Sequence, residues 1–88
     1  MRAIDYQDRL ERARREAERA WAIADQVQPD MSGRARGALV NRVRNAYRNV
    51  ESLTAPIIRG ADEELSTAAR HEMLRAYAAF KHARRFST

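Results

Sequence analysis

The chain has no cysteine, two prolines, three glycines and a single lysine among its 88 residues. Without cysteine there is no disulfide framework, no thiolate metal site and no cysteine nucleophile; the chain fits a reducing compartment, so a cytoplasmic location is the expectation. So few prolines and glycines leave few chain breaks, which excludes a loop-rich or low-complexity chain. Long apolar runs are also lacking: none approaches the roughly 18 residues that a bilayer span requires. The first twenty residues are too charged for a signal peptide, so no membrane association is expected.

One absence is local. Residues 31–50 contain no aspartate or glutamate, yet they hold Arg34, Arg36, Arg42, Arg44 and Arg48 together with Asn41, Asn45 and Asn49. Residues 1–30 have six basic and seven acidic side chains and residues 51–88 have six and five, so the flanks cancel and the formal charge of +5 belongs to this stretch. Charge concentrated in this way faces something negative. Sixteen of the seventeen basic residues are arginine, which suits bidentate contact with phosphate or carboxylate but also follows from codon usage that favours arginine and alanine. Codon usage does not account for acids vanishing from one stretch and returning on both sides.

What is present in quantity is alanine, seventeen residues of it, the strongest helix former. Apolar residues recur at helical spacing. Ala3, Tyr6, Leu10, Ala13, Ala17, Ala20, Ala24 and Val27 follow alternating steps of three and four and predict a helix over about 3–28, stopped by Pro29. Pro29–Gly33 reads as a turn, with Asp30 or Ser32 capping the next helix. That helix, about 33–54, has Leu39, Val43, Ala46, Val50 and Leu53 as its apolar stripe, widened by Val40 and Tyr47. Arg34, Asn41, Arg42, Arg44, Asn45, Arg48 and Asn49 fall on the opposite side, and Arg36 lies nearer the apolar edge. Thr54–Gly60 reads as a second connection holding one short helical turn around Pro56. A third helix, about 62–86, opens on Asp62, Glu63 and Glu64 and ends in Lys81, Arg84 and Arg85, the charge polarity a helix dipole favours. Its stripe is Leu65, Ala68, Ala69, Met73, Ala76, Ala79, Phe80, Ala83 and Phe86. Leu74 falls on the far side among Arg70, Arg75, Lys81 and Arg85, a second basic face with an apolar contact point for a partner.

The expected architecture is therefore all-α: one domain over residues 1–88, a three-helix bundle in which a long antiparallel hairpin of the first two helices is joined by a third long helix. The small residues of the first seam permit close helix pairing. Together with the apolar surface of Trp21, Ile23, Val40, Tyr47, Ile57, Ile58, Leu74, Tyr77 and Phe86, they lead to the expectation of a homodimer.

No catalytic template fits. His71-Glu72 opens like an HExxH zinc motif, but Arg75 stands where the second histidine is required, and His71 and His82 are eleven residues apart, roughly 16 Å along a helix. GxGxxG, GxxxxGK[ST] and GxSxG are all missing. The expectation is a non-enzymatic protein with no metal or cofactor. The tyrosines and the tryptophan lie at or near apolar seams and read as core rather than as stacking platforms. Arginine and asparagine are the side chains that contact phosphates and base edges, so the expected function is binding of a polyanion, nucleic acid first, through the face of the second helix. The alternative is a protein-interaction module, or a small inhibitor in the manner of phage-encoded ones by size only, that docks on an acidic surface of a larger protein machine.

Overall fold

The computed structural model describes residues 2–85 and consists of three α-helices: α1 (Ala3–Ala24), α2 (Gly33–Gly60) and α3 (Glu63–Arg84). Each helix packs against the other two, and the bundle is a rod with extents of 46 × 15 × 15 Å. The all-α three-helix architecture expected from periodicity is the one observed. α2 runs antiparallel to α1, so Leu10 meets Ile57 at one end of the core and Ile23 meets Val40 near the other. α3 returns parallel to α1.

The core is a column of small side chains. Of the sixteen buried apolar residues described, nine are alanine, so the helices approach closely and bulk comes from the edges. Leu10, Ile57 and Ala69 form one end layer, and Ala13, Ala17, Val50 and Ala76 the middle. Ile23, Val27, Val40 and Val43 fill the other end among Ala20, Ala24, Ala46, Ala79 and Ala83. Trp21, Leu39, Tyr47, Leu53, Met73 and Phe80 cover these layers from outside, half-buried. Phe86 and the side chain of Ala3, both assigned above to apolar stripes, lie outside what is described.

One boundary near the first turn differs from expectation, and local bonds fix the rest of the turn. α1 ends at Ala24 rather than near Gln28, because the chain tightens into i→i−3 bonds (Gln26 N–H to the Ile23 carbonyl, 3.0 Å; Val27 N–H to the Ala24 carbonyl, 3.1 Å) that tuck Val27 under the bundle end. Ser32, not Asp30, caps α2, its hydroxyl accepting from the Ala35 N–H at 3.1 Å. Arg36 is half-buried and donates to the Pro29 carbonyl at 3.2 Å, which fastens the turn.

The largest correction is at Thr54–Gly60, which is no connection: α2 passes straight through Pro56 to Gly60. Proline has no N–H for the carbonyl four residues back and its ring crowds that carbonyl. The Arg9 side chain of α1 compensates. Its Nη2 donates to the Ser52 carbonyl at 2.8 Å and its Nε to the Leu53 carbonyl at 3.1 Å, replacing the bond Pro56 cannot make. Thr54, fully buried, donates its hydroxyl to the Val50 carbonyl at 2.7 Å and needs no partner from solvent. α3 then starts where Asp62 accepts from the Leu65 N–H at 2.9 Å, and the Ser66 hydroxyl donates to the Ile58 carbonyl at 3.2 Å, pinning the short α2–α3 joint.

Candidate nucleic-acid interface

The outward face of α2 is set by the core stripe on its other side. With Val40, Val43, Ala46, Val50, Thr54 and Ile57 buried, Arg34, Asn41, Arg42, Asn45, Arg48 and Asn49 are left exposed, and Arg44 half-buried. The structure divides this set. Asn49 leans toward α1 and donates to Glu16 Oε2 at 3.2 Å. Arg44 leans toward α3, donates to Asn41 Oδ1 at 3.0 Å and lies 5.5 Å from the Phe80 ring centre. Arg34, Arg42, Asn45 and Arg48 stand between them, and among the described residues no side-chain hydrogen bond or ion pair engages them. α2 has no acid in its first turn, where a helix dipole favours one, and carries Arg34 and Arg36 there instead. Arg36 fastens the preceding turn, while Arg34 makes no such bond among the described residues. Their charge adds to the positive helix end and favours an anion.

The second basic face on α3 is only partly as expected. Arg70, Lys81 and Arg85 are exposed, but Arg75 is not part of that face. It turns into the α1–α3 seam, where its Nη2 lies 3.1 Å from Glu72 Oε2 and donates to the Arg14 carbonyl at 3.0 Å. The cause is Glu72, 5% exposed, whose carboxylate needs a cation in the seam. Arg75 is placed one turn along the same helix to supply it. The contact is one of charge rather than an aligned hydrogen bond, and Glu72 Oε2 and Arg75 Nε are left without hydrogen-bond partners. His71 points outward while Glu72 points in, so the residues of the incomplete zinc motif do not share an open site.

Leu74 is 59% and Tyr77 42% exposed, which makes them the large apolar side chains left open on α3. They line a shallow groove of about 510 Å³ with Trp21, Ala78, Lys81, His82 and Arg85. Trp21 is held there by its indole N–H, which donates to the Arg75 carbonyl at 3.0 Å, and its ring lies 5.4 Å from His82.

Between α2 and α3 sits an aromatic cluster that the spacing of apolar residues did not reveal. Tyr47 lies 5.5 Å from Tyr77 and stacks on Phe80 at 6.0 Å, with interplanar angles of 44° and 9°. Three cations border it: Arg44 and Arg84 over Phe80 at 5.5 and 5.2 Å, and Lys81 over Tyr77 at 5.5 Å. Burial pushes the Tyr47 hydroxyl above its usual pKa, and the neighbouring Glu51 carboxylate pushes it the same way. The i, i+3 spacing of Tyr77 and Phe80 was visible in the sequence, but the third ring comes from another helix.

Topology concentrates the charge further. The bundle puts the start of α2 beside the ends of α1 and α3, so the half built from residues 14–46 and 74–85 has eleven basic and four acidic side chains. The opposite half, residues 2–13 and 47–73, has six and eight. The rod is electrically polar, with most of the α2 face and the α3 C-terminal cations at one end. Among the described residues no cluster of three His, Asp or Glu side chains is arranged to hold a metal, and no helix is long and apolar enough to cross a membrane. No family model matches the chain, and no curated protein or solved structure is similar to it.

Proposed function

We propose that this chain is a non-enzymatic binding protein whose basic half engages a polyanion, nucleic acid first. The observation that carries this reading is the run of exposed arginines on α2, Arg34, Arg42 and Arg48, without acidic partners among the described residues. Two of them lie in, and Arg48 borders, a half-rod that gathers eleven of the seventeen basic side chains. Arg44 belongs to the same surface but also packs on Phe80, so it is the wrong residue for a clean test. Replacing Arg34, Arg42 and Arg48 with glutamate is expected to leave the helical circular dichroism unchanged, because all three are exposed. Anisotropy of a fluorescently labelled oligonucleotide should show at least a hundredfold loss of affinity, on the order of 3 kcal/mol for three reversed phosphate contacts. Wild-type affinity in that variant would mean that the face is only solvated.

The open Leu74–Tyr77 patch favours a second reading, an acidic protein surface docked on α3 with Lys81 and Arg85 at its rim. The same patch is where a homodimer would form. The alanine seam of α1 is spent inside the bundle: Ala13, Ala17, Ala20 and Ala24 are fully buried, as are Ile57 and, nearly so, Ile23 and Val40. Among the described residues, the apolar surface credited above to self-association is thereby reduced to the Leu74–Tyr77 patch and the half-buried Trp21, Tyr47 and Ile58.

A further inference from the structure

Building on the polyanion reading, we propose that Tyr47, Tyr77 and Phe80 form a stacking platform for the bases of a single-stranded nucleic acid, with Arg44, Lys81 and Arg84 placed to meet its phosphates. A basic surface alone does not distinguish a duplex from a single strand. Aromatic faces beside cations do, because only unpaired bases expose a π-face to stack.

Closing the core does not account for this cluster. Tyr47 and Phe80 cover core layers half-buried, whereas the Tyr77 ring packs on Tyr47 while remaining 42% exposed. A tyrosine ring left this exposed at the edge of the cluster adds little to stability and offers a base a place to pack. The cations are arranged for the other half of a nucleotide. Arg44 and Arg84 flank Phe80 from different helices, and Lys81, the one lysine of the chain, holds its ammonium over the Tyr77 ring at 5.5 Å. A flexible stem lets that ammonium swing from the ring to a phosphate when a base takes its place, a motion a planar guanidinium makes less readily. Toward the middle of the rod the Glu51 carboxylate lies beside Tyr47 and repels a backbone, so a strand is directed from the platform toward the basic end, where Arg42 lies.

The test compares the full chain, Tyr77→Leu and Tyr77→Phe on two probes at one salt concentration: a labelled oligothymidine and a duplex, each about twenty nucleotides long. Leucine keeps apolar bulk and removes the π-face; phenylalanine keeps the face. The wild type is expected to prefer the single strand. Tyr77→Leu should weaken oligothymidine binding about tenfold, leave duplex binding unchanged, and be rescued by Tyr77→Phe. A 2-aminopurine placed in the single strand should be quenched on binding to the wild type and to Tyr77→Phe, and not to Tyr77→Leu. If both probes bind equally and Tyr77→Leu changes neither, the platform is refuted while the basic-face reading stands. If neither probe binds at low salt, both readings fail together; capture of an acidic amphipathic peptide that Leu74→Glu abolishes would then support the docking reading.

Discussion

Several side chains in this bundle have roles that their chemical type alone does not announce. Glu72 follows the exposed His71 in a charged helix, yet it is buried at the α1–α3 seam and draws Arg75 away from the open face. Spacing on one helix assigns a face, but whether that face meets solvent or a neighbour depends on where the other helices lie. Tyr47 shows the same dependence. Its hydroxyl is shifted upward by burial and by Glu51, so the folded state keeps it neutral at a pH where the unfolded chain ionises it. The folded state then binds the extra proton, and this contribution to stability is complete below about pH 10 and lost as pH rises through the shifted value. Alkaline titration followed by phenolate absorbance is expected to show a late phase from Tyr47, and Tyr47→Phe should remove that late phase. If the late phase survives in Tyr47→Phe, it belongs to another tyrosine.

At the scale of the element, what the sequence conveyed and what it hid are both clear in α2. The stripe from Leu39 to Leu53, the serine cap and the outward arginines all follow from helical periodicity, and the structure has them. The passage through Pro56 does not follow from anything local, since proline ordinarily ends a helix where its missing N–H and its ring disrupt the preceding turn. It depends on Arg9, forty-four residues from Leu53 in sequence, whose guanidinium reaches two carbonyls. A double-mutant cycle isolates the effect. Arg9→Met alone is expected to cost about 1 kcal/mol, because the bonds are only partly shielded from water. In a Pro56→Ala background the same change should cost much less, since an alanine at that position restores the N–H for the Ser52 carbonyl. Equal costs in the two backgrounds, measured by urea unfolding, would mean that Arg9 acts by packing alone. The aromatic cluster was hidden for a related reason: two of its rings come from α3 and one from α2, and only the packed pair brings them within stacking range.

For the whole molecule the central property is its charge distribution. The sequence disclosed the basic stretch of residues 31–50; it did not disclose that up-down-up packing would set this stretch beside Lys81, Arg84 and Arg85 and leave Asp62, Glu63 and Glu64 at the far end of a 46 Å rod. A short chain with an alanine-rich core retains its fold through many small contacts and spends little of its arginine on ion pairs. Among the described residues, the pairs made by Arg14, Arg15, Arg19 and Arg75 lie on α1 or in the α1–α3 seam, none on the α2 face. That asymmetry between paired and unpaired arginines is what the polyanion reading rests on. The most direct test is the salt dependence of oligonucleotide affinity for the wild-type chain. If arginines displace counterions from phosphates, log affinity falls linearly with log salt, and Arg42→Ala lowers the slope by about 0.7 for the one single-strand phosphate contact removed. Affinity that is flat across the salt range, or a slope that Arg42→Ala leaves untouched, would contradict the account.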